Sequence, residues 1–326
     1  MTLDEAAEAF RAGDGFMLTT HASPDADGLG AQYALRLGLA ALGKRVRAVN
    51  ASACPSRFAF IDERQVIEAL SPSEAARFSD GPLTLVLLDT NDIGYTGGMA
   101  AVVAVPGTRV MIVDHHEPLE AGNADACSVV DASSTCELAY GILKRLGVPV
   151  MADMARALFA GMVYDTGSFA YAKTGPGTLL AAYELMLAGA VPYEVHGALY
   201  ESSGAGALLM AKEVLSTLEL RHGNQVAVQT LSRRALADTG ADYEDAEDLV
   251  NVPLRCRDVE VSVLFKENLG GQLRCSLRSK GRVNVAHVAQ AFGGGGHRAA
   301  SGFKSGLPLD TVRAQVLESL ESALDP

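Results

Sequence analysis

The stretch Val110-Met111-Ile112-Val113-Asp114-His115-His116 is the most informative part of this chain, because an apolar run ends directly in three side chains that can bind metal ions. The same arrangement occurs twice upstream, where apolar runs at residues 15–20 and 83–88 precede polar clusters. Short runs of aliphatic and β-branched residues predict buried strands. The upstream clusters contain His21, Asp25, Asp27 and Asp89.

Strand and helix patterns alternate through the first 190 residues. Helical spacing of apolar residues predicts a helix over residues 30–42, and an apolar segment at 154–164 predicts a buried helix that delivers Asp165 at its end. Such alternation predicts an α/β fold, with a mostly parallel sheet covered on both faces. Because the carboxyl ends of parallel strands meet at one edge, where ligands bind, we expect the clusters to converge in a domain of residues 1–190.

A second, smaller domain is expected after a connector. Residues 191–224 predict a helical connector, with its main helix over residues 207–220. From residue 225 the strand pattern returns, and the runs 259–265 and 273–278 predict two paired antiparallel strands. We therefore predict an α+β domain over residues 225–326.

The net charge of −12 lies almost entirely in residues 1–224, which hold 15 Lys and Arg against 26 Asp and Glu. Residues 251–304 are locally basic, with nine Lys and Arg against three Asp and Glu. An acidic surface repels long nucleic acids, whose binding needs many phosphate contacts. A small anionic ligand fits this distribution better, although a solvated sheet face would also explain the basic residues.

Cysteine usage and the first residues indicate a cytoplasmic protein. The five cysteines are scattered and form no Cys-x-x-Cys pair, which indicates a reducing compartment and argues against a zinc ribbon. The chain opens on the acidic sequence Met1-Thr2-Leu3-Asp4-Glu5, where a signal peptide would be basic. No apolar stretch is long enough to cross a bilayer, so we expect no membrane partner.

The polar clusters predict a site for divalent metal ions, because carboxylates gathered without a counter-ion would repel one another. Oxygen and nitrogen ligands without a thiolate suit Mn²⁺, with Mg²⁺ or Co²⁺ as substitutes, better than structural Zn²⁺. Asp25-x-Asp27 alone would be a solvated turn, and Asp89 alone could cap a helix, so the prediction depends on convergence. We expect Asp25 and Asp27 in a loop, directed at two different ions. Two ions about 3.5–4 Å apart can hold a phosphoryl group for attack by water.

Gly293-Gly294-Gly295-Gly296-His297 is a second candidate site, for an anionic ligand. Consecutive glycines expose main-chain amides, and His297 adds a donor for a phosphate or carboxylate. The glycines follow a helical pattern instead of a strand, and no Gly-Lys-Ser/Thr is present, which excludes the common dinucleotide and Walker loops. Arg278 and Lys280 could face the same ligand. A flexible loop is the alternative.

Together these motifs resemble the DHH phosphoesterase superfamily, named for the triplet found here as Asp114-His115-His116. The C-terminal region is similar to the DHH-associated domain, whose Gly-Gly-Gly-His motif matches residues 294–297. The order of the motifs most resembles the NrnA-type branch of bacterial oligoribonucleases that also dephosphorylate 3′-phosphoadenosine 5′-phosphate (pAp). The resemblance covers nearly the whole chain.

The resemblance implies two metal ions and a substrate-binding loop. The residues implied for the first ion are His21, Asp25 and Asp89. Those implied for the second ion are Asp27, Asp89, His115 and Asp165, with Asp89 bridging. His116 would lie beside the scissile phosphate and Asp114 would orient the histidine pair. The residues implied for binding the rest of the substrate are Gly294, Gly295, Gly296 and His297, with Arg278 and Arg255 assisting.

The implied activity is Mn²⁺-dependent hydrolysis of short RNA oligonucleotides to mononucleotides, and of pAp to AMP. A phosphodiesterase for linear or cyclic dinucleotide messengers and an inorganic pyrophosphatase are the alternatives within enzymes. From a different class, the chain could be a non-catalytic nucleotide sensor, although every expected metal ligand is present. Exposed apolar helices are compatible with a homodimer.

Overall fold

The computed structural model of the protein describes residues 1–70, 83–116, 125–129, 131–296 and 298–324. The chain folds into two compact units, Met1–Ser202 and Ser203–Pro326. Within these residues each unit contains a six-stranded sheet, all parallel in the first and mixed in the second, which confirms the predicted fold class.

The first unit is built on a parallel sheet. Its strands are β1 (Gly15–Thr19), β2 (Arg45–Asn50), β3 (Ile67–Ala69), β4 (Thr84–Leu88), β5 (Arg109–Asp114) and β6 (Asp125–Ser128). They lie in the order β3-β2-β1-β4-β5-β6, and every pairing is parallel. The order reverses direction between β1 and β4, which is where ligands bind in sheets of this kind.

Both faces of this sheet are buried, which explains why its strands are continuous apolar runs. In β1, Phe16 and Leu18 belong to a large core shared with the α-helices, whereas Met17 belongs to a smaller core on the opposite face. The smaller core is closed by the 3₁₀ segment Ile93–Ala104, which contributes Met99.

The described residues of the first unit form six α-helices. They are α1 (Leu3–Ala12), α2 (Ala26–Ala41), α3 (Thr135–Leu146), α4 (Ala152–Asp165), α5 (Pro176–Leu187) and α6 (Pro192–Tyr200). The Ser134 side chain caps α3 by accepting from the amide of Glu137, and Gly147 ends it with a φ of 71°. The predicted helix that ends at Asp165 is confirmed by α4.

The expectation that Asp25 and Asp27 share a loop is wrong. Helix α2 begins at Ala26, earlier than residue 30, and Asp25 is its N-cap. Asp25 Oδ1 accepts hydrogen bonds from the amides of Asp27 at 3.0 Å and Gly28 at 3.3 Å. The first turn of α2 contains polar and glycine residues, so the spacing of apolar residues did not reveal that the helix begins there. An aspartate N-cap is itself a common helix start.

Helices α2 and α4 approach closely at two glycines. A Cβ on Gly30 would lie 2.5 Å from the carbonyl oxygen of Ala157, and one on Gly161 would lie 2.3 Å from Cys136 Sγ and 2.9 Å from Asp27 Cα. No side chain larger than hydrogen fits at either position, because interiors are close-packed. The contact brings α4, which ends at Asp165, against the turn of α2 that carries Asp27.

The second unit alternates short helices with strands. Its elements are α7 (Ala205–Ser216), β7 (Glu219–Arg221), β8 (Val226–Leu231), α8 (Arg233–Thr239), the 3₁₀ segment Tyr243–Arg255, β9 (Val261–Glu267), β10 (Leu273–Ser279), α9 (Val285–Ala291), β11 (Gly295–Gly296), β12 (Ala300–Ser305) and α10 (Leu309–Leu324). The strand order is β11-β12-β10-β9-β8-β7, with β8 and β9 parallel and the other neighbours antiparallel. The predicted antiparallel pair is β9 with β10.

The predicted helix over residues 207–220 is partly wrong, because α7 ends at Ser216 and residues 219–221 form β7. Thr217 redirects the chain: its hydroxyl donates to Val214 O and accepts from the amide of Thr230 at 2.8 Å. Within the range 191–224, α6 lies in the first unit and α7 in the second. None of the described helices is long and apolar enough to span a bilayer.

Gly161→Ala is expected to lower the free energy of unfolding by about 1–3 kcal/mol, because a methyl group forces α2 and α4 apart. Gly197→Ala is the matched control, since this glycine also lies within a helix but an added Cβ would meet only Glu201 Oε2, at 3.9 Å. The control should be neutral or stabilising by up to about 1 kcal/mol. Denaturant unfolding measures both, and equal effects at the two positions would contradict the close contact.

Candidate metal centre

The predicted polar residues of the first unit converge at one edge of the sheet. His21 follows β1, Asp89 follows β4, and Asp114 is the last residue of β5. These three strands are neighbours and run in the same direction, so their carboxyl ends coincide. Asp25 and Asp27 join them from the start of α2, and Asp165 from the end of α4.

Seven of these side chains form three overlapping groups, each with ligand atoms within 4.8 Å of one another. The groups are His21, Asp25 and Asp89; Asp27, His115 and Asp165; and Asp89, His115 and His116. The first group contains the residues predicted for the first ion, and the second contains those predicted for the second ion except Asp89. The third group connects the two through Asp89 and His115. Asp25 and Asp27 point into different groups although only one residue separates them, because the first is the cap and the second lies inside the helix.

Asp89 lies between the two groups. Its Oδ2 is 3.5 Å from His21 Nε2, and its Oδ1 is 3.5 Å from His115 Nε2 and accepts a hydrogen bond from the Thr135 hydroxyl at 3.2 Å. Its backbone has a φ of 59°, a left-handed conformation that is uncommon for a non-glycine residue. Asp89 is 5% exposed. Backbone strain at a buried carboxylate is typical of functional sites.

The surroundings of His115 fit a bound cation. Its Nε2 lies 3.3 Å from Asp165 Oδ2, 3.5 Å from Asp89 Oδ1 and 3.9 Å from Asp27 Oδ2, and neither ring nitrogen has a hydrogen-bond partner within the described residues. A buried polar atom without a partner is costly. Two atoms that each bind one ion at about 2.1 Å lie about 3.0–3.4 Å apart, close to these spacings. An ion would therefore satisfy a nitrogen that the protein leaves unsatisfied.

Burial and mutual charge set the protonation of the cluster. Burial lowers the pKa of His21, but the contact with Asp89 and the charges of Asp25, Asp89 and Asp27 outweigh it and raise the pKa to about 9. At His115 burial again lowers the pKa, but the contact with Asp89 and the charges of Asp27 and Asp89 outweigh it and raise the pKa to about 10. Burial raises the pKa of Asp27 well above its usual range, whereas His115 and His21 hold that of Asp89 well below despite its burial.

Asp114 contacts one of the two histidines of the triplet. Its Oδ1 lies 2.5 Å from His116 Nδ1, and the Asp114 side chain is fully buried. This contact fixes the ring and favours a proton on Nδ1. The His115 and His116 rings meet edge to face, with centroids 4.6 Å apart. The carboxylate therefore acts on His116 directly and on His115 through ring packing.

The N-terminus of α3 holds Asp27, a contact that the sequence analysis missed. The amide of Thr135 donates to Asp27 Oδ2 at 2.6 Å, and the amide of Cys136 donates to Oδ1 at 2.8 Å. Unpaired amides of a first helical turn favour a carboxylate. The sequence does contain a signal for this helix, because Ser134 followed three residues later by Glu137 is a typical helix start. These residues do not directly follow a predicted strand, so the pattern of polar residues at strand ends did not point to them.

The glycine segment lies at an edge of the sheet in the second unit. Gly295 and Gly296 form β11 and pair with Gly302 and Ser301 of β12. A Cβ on Gly294 would lie 2.3 Å from Gly302 O, and Gly296 has a φ of 133° with Ala300 O in the way. Packing against β12 therefore requires glycine here, independently of any ligand. His297 lies outside the described residues.

The two predicted arginines occupy different elements of the same unit. Arg278 is on β10 opposite Ala300 of β12, and its Nη1 donates to Leu277 O at 3.0 Å. Arg255 is exposed at the end of a 3₁₀ segment. Lys280 Nζ donates to Cys256 O at 2.6 Å, which ties the end of that segment to the end of β10.

Thr135→Val is expected to weaken binding of a divalent ion about 10- to 100-fold, because Asp89 loses the hydroxyl that orients it while the amide on Asp27 remains. Thr135→Ser retains the hydroxyl and should recover most of the affinity. Calorimetric titration with Mn²⁺ measures both variants beside thermal unfolding of the metal-free proteins. Unchanged affinity in Thr135→Val would show that this hydroxyl does not position the carboxylate.

Metal binding should weaken as the pH falls. The raised pKa values of His21 and His115 mean that both carry a proton below about pH 8 in the metal-free protein, and an ion must displace it. The apparent affinity should therefore rise at least about tenfold per pH unit between about pH 6 and pH 8. Titration in two buffers of different ionisation enthalpy counts the released protons. A pH-independent affinity without proton release would contradict this.

Comparison with known proteins gives a consistent result. The DHH family N-terminal domain matches residues 16–162, and the DHHA1 domain matches residues 223–325. A protein of Thermus thermophilus named bifunctional oligoribonuclease and PAP phosphatase NrnA is 31% identical over 328 residues, covering 98% of this chain and 93% of that protein. A probable protein of the same kind from Streptococcus mutans is 30% identical, covering 67% of this chain and 73% of the relative.

A solved structure extends the likeness to the whole fold. An exopolyphosphatase-related protein from Bacteroides fragilis superposes with a TM-score of 0.89 at 25% identity, covering 99% of this chain and 97% of that one. Family matches to both units, a relative above 30% identity over nearly the full length and the converging aspartates and histidines agree. The chain belongs to the DHH family of phosphoesterases, with an N-terminal DHH domain followed by a DHHA1 domain.

Proposed function

We propose that the protein is a Mn²⁺-dependent phosphoesterase that degrades short RNA oligonucleotides to mononucleotides and dephosphorylates pAp to AMP. The observation that carries the proposal is the set of three overlapping ligand groups joined through Asp89 and His115. The relatives' names support the substrate class. The acidic first 224 residues disfavour long nucleic acids.

The three ligand groups support a proposal in which these residues hold two ions. The first ion would be held by His21, Asp25 and Asp89. The second would be held by Asp27, Asp89, His115 and Asp165. Asp89 suits the bridging position because its two oxygens face different histidines. When bound, two divalent ions polarise the phosphoryl oxygens and activate water for in-line attack. The oxygen and nitrogen ligands favour Mn²⁺, with Mg²⁺ or Co²⁺ as substitutes.

The remaining residues bind substrate or move protons. We propose that His116, held by Asp114, lies beside the scissile phosphate and stabilises its charge, because its pKa is raised by Asp114 and Asp89 against the effect of burial. The residues proposed for nucleotide binding in the second unit are Gly294, Gly295, Gly296, His297, Arg278 and Arg255. Main-chain amides and guanidinium groups suit phosphate oxygens.

We also propose a cytoplasmic homodimer. Helix α5 presents Leu179, Leu180, Tyr183 and Leu187 to solvent, with Leu187 72% exposed. An apolar helix face of this kind is typical of an association surface. Light scattering of the purified protein measures the mass, and a monomer at micromolar concentration would rule this surface out as a stable interface.

Product analysis with purified protein tests the function. The protein is incubated with Mn²⁺ and one substrate at a time, with and without chelator. The substrates are pAp, a labelled dinucleotide, a five-nucleotide RNA, a long RNA, a cyclic dinucleotide and pyrophosphate. We expect chelator-sensitive mononucleotides from the short RNAs and phosphate from pAp. Turnover of the cyclic dinucleotide or of pyrophosphate alone would replace the proposal by that activity. Binding without turnover would indicate a nucleotide sensor.

Asp89→Ala tests the two-ion assignment in the same assay. It should reduce turnover of every substrate by at least about 1,000-fold, because both ions lose a ligand. Asp92→Ala is the matched control, since Asp92 lies three residues away and its Oδ1 caps the amide of Gly94. Circular dichroism establishes that both variants fold. Substantial turnover by Asp89→Ala would remove the bridging role.

A further inference from the structure

Lys173 is a cation beside the candidate metal centre to which neither the sequence patterns nor the resemblance assigned a role. Its Nζ donates to the main-chain oxygen of His115 at 3.1 Å. The residue is exposed, and among the described residues no carboxylate lies within ion-pairing distance of it. An ammonium group has three donors, and this contact uses one. The other two remain available for an anion.

The loop that carries Lys173 is tightly constrained. It follows Asp165, and Gly167, Ser168 and Phe169 all have left-handed backbones, with φ of 56°, 60° and 65°. The Thr166 hydroxyl donates to Met162 O and accepts from the amide of Phe169 at 2.9 Å, while Thr166 O accepts from Ala170 and Tyr171. The loop therefore presents the lysine in a defined place, at low entropic cost on binding.

Charge counting shows what such a cation would do. Five aspartates belong to the centre and its triplet, namely Asp25, Asp27, Asp89, Asp114 and Asp165. Two divalent ions would balance four of these five charges and a protonated His116 the fifth, so the centre would have no surplus positive charge to balance a bound phosphate. Lys173, which has no carboxylate partner among the described residues, would add a positive charge next to His115, the second residue of the DHH triplet.

We propose that Lys173 is a substrate-binding residue that donates to the phosphoryl group hydrolysed at this centre. The inference rests on the proposed function for the identity of the substrate, but the contact itself requires only a phosphate. The competing explanation is that Lys173 merely ties its loop to the end of β5. The two differ in what a charge-conserving substitution does, and in whether metal affinity changes.

The test compares Lys173→Met, Lys173→Arg and the control Lys212→Met, whose side chain is 77% exposed on α7. Turnover of pAp and of a dinucleotide is measured with Mn²⁺. Binding of pAp is measured separately by calorimetry, with Ca²⁺ in place of Mn²⁺, because this measurement does not depend on hydrolysis. Mn²⁺ affinity and thermal unfolding are measured for every protein.

For Lys173→Met we expect kcat/KM to fall about 10- to 100-fold, with weaker pAp binding in Ca²⁺ and with Mn²⁺ affinity and melting temperature unchanged. Lys173→Arg should stay within about threefold of wild type, and Lys212→Met should match it. Wild-type kcat/KM in Lys173→Met would overturn the proposal, as would losses of stability and metal affinity that parallel the loss of activity. If the wild type binds pAp without hydrolysing it, the proposed function fails while the binding arm still decides the role of Lys173.

Discussion

Repulsion among buried and half-buried carboxylates is the constraint to which the rest of the first unit responds. Asp25, Asp27, Asp89 and Asp165 lie within a few ångströms of two imidazoles, and burial makes each negative charge costly. Main-chain amides and histidine contacts stabilise some of these carboxylates, and raised pKa values favour the neutral form of others. That arrangement satisfies the carboxylates only in part, and a pair of divalent cations would complete it.

The scaffold supplies the amides and the spacing. Parallel strands set Asp89 and the histidine pair side by side, while the contact at Gly30 and Gly161 places α4 against α2. The N-terminus of α3 then donates two hydrogen bonds to Asp27. Three helices thus meet at Asp27: α2 carries it, α3 donates hydrogen bonds to it, and α4 packs against its backbone. Such outer support fixes ligand orientation before an ion arrives.

Much of this could be predicted from the sequence, because polar residues directly after apolar runs must emerge at the same edge of a parallel sheet. His21, Asp89 and the triplet follow that rule. Asp27 was found but misplaced, since a capped first turn without apolar residues gives no periodic signal. Thr135 and Lys173 were missed, because each acts across more than 45 residues of chain and has no local pattern.

The second unit shows a different limit. Its glycine motif was predicted to bind a ligand, and the structure gives a separate, steric reason for the glycines, because Gly294 and Gly296 pack directly on β12. A glycine pattern that predicts a ligand site can therefore also be required for packing, and sequence reasoning alone does not separate the two. Arg255 and Arg278 carry no motif, and only the strand pairing relates Arg278 to the glycines.

Cys136, the thiol packed between α2 and α4, has a consequence for metal discrimination. Its Sγ is 3.3 Å from Asp27 O and donates to it, and burial raises the pKa of the thiol well above its ordinary value. Soft ions such as Cu⁺ and Cd²⁺ bind thiolates and gain little from a thiol held neutral. The Cys136 sulfur thus lies next to the centre but should not act as a metal ligand. The same locked thiol should resist peroxide and alkylating reagents, which leaves the exposed Cys256 as the cysteine that they reach first.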